Sequence, residues 1–355
     1  MNHADHAAAL PPVHAFDTPP QGRGAWQRVA VVIPVFRAAR HILGVLAEIG
    51  PEVRRIYVVD DACPEGSGAL VQKRCTDPRV RVVPREANGG VGAAVITGYE
   101  AALADGDVDI IVKLDGDGQM DPALIADFVA PIARGDADYT KGNRFFDLEG
   151  LQQMPGLRLF GNAMLSLMNK VSSGYWDIFD PTNGYTAVHA NIVRRLPLSK
   201  ISQRYFFESD MLFRLNVMRA VVWDVPMRAR YGDEVSNLKV SRVAGEFFVK
   251  HLRNTAKRIF YNYYLRDVSV ASFELPLGLS LTLFGGCFGG YHWLHNANLG
   301  VATPVGTVML ATLPILVGLQ LLLAFANYDI GAVPRRPLHL SMSAGRQEPH
   351  RSTAP

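Results

Sequence analysis

Two aspartates one residue apart, Asp115 and Asp117, stand in the run Leu114-Asp115-Gly116-Asp117-Gly118-Gln119-Met120. They follow an apolar stretch, Val108 to Val112, that reads as a buried strand. Carboxylates so placed at a strand's end can converge on one hard cation. Mg²⁺ and Mn²⁺ take oxygen ligands and often hold substrate phosphates as well. Gly116 and Gly118 permit a tight turn and the close approach of a ligand, and Gln119 adds a neutral oxygen. The pattern suits a metal-diphosphate site of the kind a nucleotide-sugar transferase needs, with Asp115, Asp117 and Gln119 as the metal ligands. The plainer alternative is an acidic turn after a strand.

Composition narrows the setting. The 355 residues suffice for one large domain and a further segment, and the net charge of +3 does not mark a nucleic-acid binder. The three cysteines, Cys63, Cys75 and Cys287, lack metal-ligand spacing and read as reduced thiols of a cytosolic setting. Residues 1–27 are rich in Ala, Pro and His and read as a disordered tail without signal-peptide character.

The elements that must position the aspartates come in alternation. Strands are expected at Arg28–Val35, Arg55–Val59, Val80–Val83 and Asp109–Leu114, with helices at Ala38–Ile49, Gly68–Cys75 and from the Asn88–Gly92 turn to Ala104. Continuous β-branched runs such as Val29-Ala30-Val31-Val32-Ile33 suit strands buried on both faces. The expected fold is α/β, a parallel, doubly wound sheet that binds ligands at the carboxyl ends of its strands. Pro34, Asp60 and Asp115 all fall at such ends. Asp60 and Asp61 either cap the next helix or accept hydrogen bonds from a nucleotide base. The glycines of Asn88 to Gly92 either form a tight turn or bring helix amides near a phosphate.

The motifs Ile33-Pro34-Val35-Phe36, Val59-Asp60-Asp61-Ala62-Cys63-Pro64-Glu65-Gly66-Ser67, Asn88 to Gly92 and Asp115 to Gln119, in that order and spacing, resemble family 2 glycosyltransferases of the polyprenyl-phosphate type. Dolichol-phosphate mannose synthases and bacterial polyprenyl-phosphate glucosyltransferases are of this type. The resemblance implies a GT-A (Rossmann-like) domain over residues 28–240. Pro34, Val35 and Phe36 would line the nucleotide pocket, with Asp60 on the base and Asp61 and Asn88 beside the donor. The chain departs from the pattern where the family's usual Asn is Arg37 and its usual Ser is Cys63.

The acceptor half follows. Arg158 and Asn162 lie one helical turn apart, and with Arg144 they match the family positions that hold an acceptor phosphate, a task suited to guanidinium groups. Asp180-Pro181-Thr182-Asn183-Gly184-Tyr185 resembles the segment beneath the donor sugar, and Glu208 lies in the acidic segment after it. Asp117, Asp180 and Glu208 are therefore the candidate catalytic carboxylates, although a phosphate acceptor, already an anion, hardly needs a base. Arg228 to Leu238 resembles a loop that closes over the donor, with Arg230 toward the diphosphate and Asn237 in place of the usual lysine.

Residues 241–267 read as an amphipathic helix along a membrane surface. Phe248, Leu252, Ile259 and Tyr263 form one face, and Lys250, Arg253 and Lys257 another. Two apolar runs, 268–294 and 299–326, exceed the ~20 residues that span a bilayer. Lys257, Arg258 and Arg266 precede the first run, while Arg335 and Arg336 follow the second. This places the catalytic domain and the 328–355 tail on the cytoplasmic side of an inner membrane. The expected activity is inverting transfer of a sugar from a UDP- or GDP-linked donor to a polyprenyl phosphate, with Mg²⁺ or Mn²⁺. The bilayer, and possible further copies of the chain, are the other partners. A polysaccharide or glycolipid acceptor and a silent membrane scaffold are the alternatives.

Overall fold

The computed structural model describes residues 28–146, 156–228 and 240–344. A seven-stranded sheet runs β3-β2-β1-β4-β6-β5-β7, from β1 (Val29–Val35), β2 (Val53–Asp60), β3 (Val80–Pro84), β4 (Ile110–Lys113), β5 (Tyr139–Asn143), β6 (Thr186–His189) and β7 (Val222–Pro226). Strand β1 alternates its side chains between two cores. Val29, Val31, Ile33 and Val35 pack on one face, and Ala30 and Val32 on the other. The first face is covered by α1 (Ile42–Glu48), α2 (Ser67–Arg74) and α4 (Ile125–Arg134). The second is covered by α3 (Val91–Ala104) and α7 (Phe207–Met218). Helices α5 (Gly156–Ser173) and α6 (Ala190–Val193) complete the domain.

The sheet is not wholly parallel. Strand β6 runs antiparallel to both neighbours, with Thr186 opposite Lys113 of β4 and Lys141 of β5. The chain reaches Thr186 at the carboxyl end of β4, so β6 must enter from that end and run backwards. Its entry holds residues 180–185 at the same edge as Asp60, Asp115 and Asn143.

Beyond the domain lie α8 (Val240–Phe260), a π-helical turn (Tyr261–Arg266), α9 (Val270–Asn298), α10 (Val305–Gly331) and α11 (Leu338–Ala344). Helix α8 is amphipathic in the inverse sense of a soluble helix. It docks on the domain through buried polar residues His251, Asn254 and Arg258, while Phe248, Val249 and Leu252 are exposed. Tyr263 is buried, so it does not share a face with Phe248 and Leu252 as the sequence spacing suggested. The π-turn rotates it inward to donate to Asp329, and Arg258 holds both Asp329 carboxylate oxygens at 2.6 and 2.9 Å.

Helices α9 and α10 are each long and apolar enough to cross a membrane. They begin and end a few residues later than the sequence-defined runs and are joined by residues 299–304. They meet through small residues: a Cβ on Gly285 would lie 2.5 Å from the Ala311 carbonyl oxygen. Their outer faces expose Phe273, Leu283, Phe284, Leu316 and Leu323.

The segment read as a tail contributes α11. Its first amides, Leu338 and His339, donate to the buried Asp138 carboxylate at 2.7 and 2.8 Å, and the His339 ring stacks on His189. The buried Asp138 also accepts from Val221 N at 2.8 Å, and the returning segment supplies the rest of its partners.

Two buried imidazoles make stability pH-dependent. Burial pulls His251 down to about 4, and burial with a smaller push from His339 takes His189 to about 4. In an unfolded chain each takes a proton near pH 6.5. Between these values the unfolded chain binds more protons on these two groups, so their contribution to stability falls as pH is lowered from about 6.5 to 4, by up to about 3 kcal/mol per imidazole. Melting temperature followed across this window checks it. His251→Gln should show a shallower decline than the parent chain.

Candidate active site

The carboxyl ends of β1, β2, β4, β5 and the entry to β6 form one edge. At the end of β1, Pro34 is half-buried and Phe36 is exposed, whereas Val35 is buried beneath the aspartate turn. A Cβ on Gly116 would lie 2.9 Å from Val35 Cγ1. The Val35 side chain is thus core, and Pro34 and Phe36 keep access to a ligand. Arg37 (φ 59°) and Ala62 (φ 51°) hold left-handed backbone at the ends of β1 and β2. This conformation is uncommon outside Gly, Asn and Asp. Cys63 stabilises the Arg37 turn by accepting its amide at 3.1 Å and meeting Ser67 Oγ at 3.2 Å. Burial raises the thiol's pKa, but these contacts outweigh it and leave it below the ordinary range.

The two aspartates of β2 organise loops. Asp60 accepts from Cys63 N at 2.8 Å and Gly68 N at 3.0 Å, which is the capping role. Buried Asp61 accepts from Gly89 N, Gly90 N and Arg85, and its carbonyl accepts from Asn88 Nδ2 at 3.2 Å. The Ala93 amide at the start of α3 donates to Gln203 O. These three amides are engaged within the protein and hold the glycine segment in a tight turn.

Sequence reasoning missed the residue at the centre. Lys113, fully buried in β4, places Nζ 2.9 Å from Asp115 Oδ1 and 3.4 Å from Glu208 Oε1. Burial pulls its pKa down, but the two carboxylates more than offset this and hold it above an ordinary lysine. It joins the aspartate turn to the first turn of α7, where Glu208 also meets the helix dipole. A Cβ on Gly184 would crowd the ends of the Lys113 and Asp115 side chains, which would have to shift to admit it. The signal was a lone cation in an otherwise apolar strand, which must find a buried anion.

Asp117 Oδ1 accepts the Gln119 amide at 2.9 Å, closing the turn, and Asp115, Asp117 and Gln119 are all part-exposed. Among the described residues no cluster of three or more His, Cys, Asp or Glu side chains could hold a metal alone. Two part-exposed carboxylates with a neutral oxygen do fit a Mg²⁺ or Mn²⁺ ion that completes its shell with phosphate oxygens and water.

Across the edge, Asp180 is buried and accepts from Arg144 Nε at 2.8 Å and Nη2 at 3.1 Å, as well as from its backbone amide. Asp180 therefore fixes Arg144, whose side chain remains partly exposed. A second buried lysine, Lys141, donates to the Asn183 carbonyl. Burial lowers its pKa to about 8 against the partial support of Glu208 and Asp180. Asn162 is part-exposed on α5. The Arg158 side chain and Arg230 lie outside what is described, as does most of the 228–238 loop.

A family profile described as Glycosyl transferase family 2 matches residues 30–196. The polyprenol monophosphomannose synthase of Mycolicibacterium smegmatis is 30% identical over 194 residues, 53% of this chain and 72% of the relative. The undecaprenyl-phosphate mannosyltransferase of Micrococcus luteus is 31% identical over 205 residues, 56% of this chain and 82% of the relative. The chain belongs to glycosyl transferase family 2. The fold agrees: a mannosyl-3-phosphoglycerate synthase structure from Rubrobacter xylanophilus aligns with a TM-score of 0.50 at 17% identity, over 68% of this chain and 77% of that one.

In this family 2 glycosyltransferase, Lys113 is the counter-charge on which two carboxylates depend. Lys113→Met should destabilise the chain by about 1–3 kcal/mol, because Asp115 and Glu208 lose their cation. Adding Glu208→Gln should recover part of the loss, a coupling of about 0.5–3 kcal/mol. Denaturant melts of the two singles and the double measure it; strictly additive losses would deny the contact an energetic role.

Proposed function

We propose that the chain is a membrane-anchored, inverting, metal-dependent glycosyltransferase that moves a sugar from a UDP- or GDP-linked donor to a polyprenyl phosphate. The observation that carries this reading is the union, in one chain, of the Asp115–Gln119 turn with an exposed apolar hairpin tied to the same domain through Arg258 and Asp329. The names of the two relatives supply the acceptor class.

In this reading Asp115, Asp117 and Gln119 would hold Mg²⁺ or Mn²⁺, which when bound would supply charge neutralisation for the leaving nucleoside diphosphate. Pro34 and Phe36 flank the nucleotide, while Asp60 and Asp61 shape the pocket around it. Arg144, fixed by Asp180, holds the acceptor phosphate with Arg158 and Asn162. A phosphate oxygen attacks the sugar's anomeric carbon as the bond to the diphosphate breaks. The nucleoside diphosphate leaves with the electron pair, and a single displacement inverts the centre. The acceptor is an anion near neutral pH, so no general base is required. Asp180 and Glu208 serve to position Arg144 and Lys113, and catalysis rests on alignment. Arg230, on the loop toward the donor, would shield the diphosphate from water. The basic residues flanking the two apolar helices support a cytoplasmic face for the domain.

The test uses membranes holding the full chain, polyprenyl phosphate, Mn²⁺ and a panel of labelled UDP- and GDP-sugars. Label from one donor should enter the organic phase. Asp117→Asn and a metal chelator should each reduce the rate on the order of a hundredfold or more. Transfer unaffected by both would remove the metal from the account. No transfer from any donor, with nucleotide binding intact, would point to another acceptor.

A further inference from the structure

A cavity of about 150 Å³ opens where the catalytic domain meets the hairpin. At roughly 30 Å³ per water in the liquid, it has room for a phosphate group with solvent. Its lining comes from the end of α7, the π-turn, the start of α9 and the end of α10, and it includes Arg219, Arg258 and Arg266. If α9 and α10 span a bilayer, this is the depth of lipid headgroups.

The three guanidiniums are not alike. Arg258 is neutralised by Asp329, yet its buried Nε has no hydrogen-bond partner among the described residues. Arg219 donates to the Ala332 carbonyl at 2.8 Å. Arg266 donates to the Val217 carbonyl and to Asn262 Oδ1. Neither pairs with a carboxylate among the described residues, and each guanidinium carries five N–H donors. Burial, and then the like charge of Arg219, lowers the Arg266 pKa. Arg219 sits at φ 67°, a left-handed helix end more usual for glycine. Asp267 also lines the cavity but is exposed to solvent. Two guanidiniums that meet no carboxylate among the described residues, both lining one open cavity, suit phosphate oxygens.

We propose that this cavity binds a phosphate anion, carried by a lipid headgroup, at the junction of domain and hairpin, as a site separate from the Asp115–Asp117 edge. Such a site locks α8, α9 and α10 to the domain when the chain is in an anionic bilayer. The inference rests on reading α9 and α10 as spans and is independent of the transfer reaction.

The test is lipid retention by the full chain, delipidated and returned to nanodiscs of zwitterionic lipid with or without phosphatidylglycerol, then examined by native mass spectrometry. Inorganic phosphate, followed by thermal shift in detergent, forms a second arm, and polyprenyl phosphate a third. Wild type should retain the anionic lipid. Arg266→Gln should bind it about tenfold more weakly, as loss of a charge-assisted contact implies, with an unchanged melt in detergent as the control for folding. Arg219→Asn, which tolerates the left-handed backbone, should do the same. Stabilisation by inorganic phosphate equal to that by lipid would assign the site to soluble anions and overturn the headgroup source. Preferential retention of polyprenyl phosphate would support a headgroup of that chemistry. Retention unchanged in both variants overturns the proposal. A chain that transfers sugar but retains no anion overturns it while leaving the proposed function standing.

Discussion

A lysine kept charged inside a sheet needs an anion beside it, and much of this molecule follows from how Lys113 meets that demand. Its two partners arrive from different parts of the chain: Asp115 from the turn after its own strand, and Glu208 from the first turn of α7. Satisfying the lysine therefore fixes the aspartate turn relative to the helix on the opposite core face. It also brings the ammonium close against Gly184, just before the reversed strand β6. The buried Asp180 then finds Arg144 within reach. One desolvated charge organises four segments that are far apart in sequence.

The second organising feature is polar docking beneath an apolar exterior. A helix on a soluble protein normally turns its apolar stripe inward. Here α8 turns His251, Asn254 and Arg258 inward and leaves Phe248 and Leu252 outside. Those inward groups find Ser172, Asp210 and Asp329, one on each of α5, α7 and α10. The arrangement is costly in water and reasonable against lipid. A buried ion pair such as Arg258–Asp329 adds orientation more than net stability.

Much of this was legible in the sequence because the governing signals are local. Continuous β-branched runs announced β1 and β4, and the D-x-D turn announced the edge. The length and apolarity of two runs announced the hairpin. What escaped is non-local. The reversal of β6 depends on where the chain re-enters the sheet. The occupation of Asp60, Asp61 and the glycine turn by one another depends on loops meeting in space. The inward polar face of α8 could not be read from periodicity, which reports that a helix is two-sided but not which side meets protein. Lys113 was visible as a cation in an apolar strand, and following it to its carboxylate partners would have found the centre of the site.

The central claim is that the Asp115–Asp117 turn binds a divalent ion together with a donor diphosphate. Electron spin resonance of bound Mn²⁺ with nearby phosphorus nuclei resolved tests it most directly, in the full chain with its nucleotide-sugar donor. The account predicts one Mn²⁺ coupled to the donor's phosphorus atoms, with the coupling lost in both Asp115→Asn and Asp117→Asn. A coupled ion that survives both substitutions, or a bound donor whose phosphorus atoms never approach Mn²⁺, would contradict it.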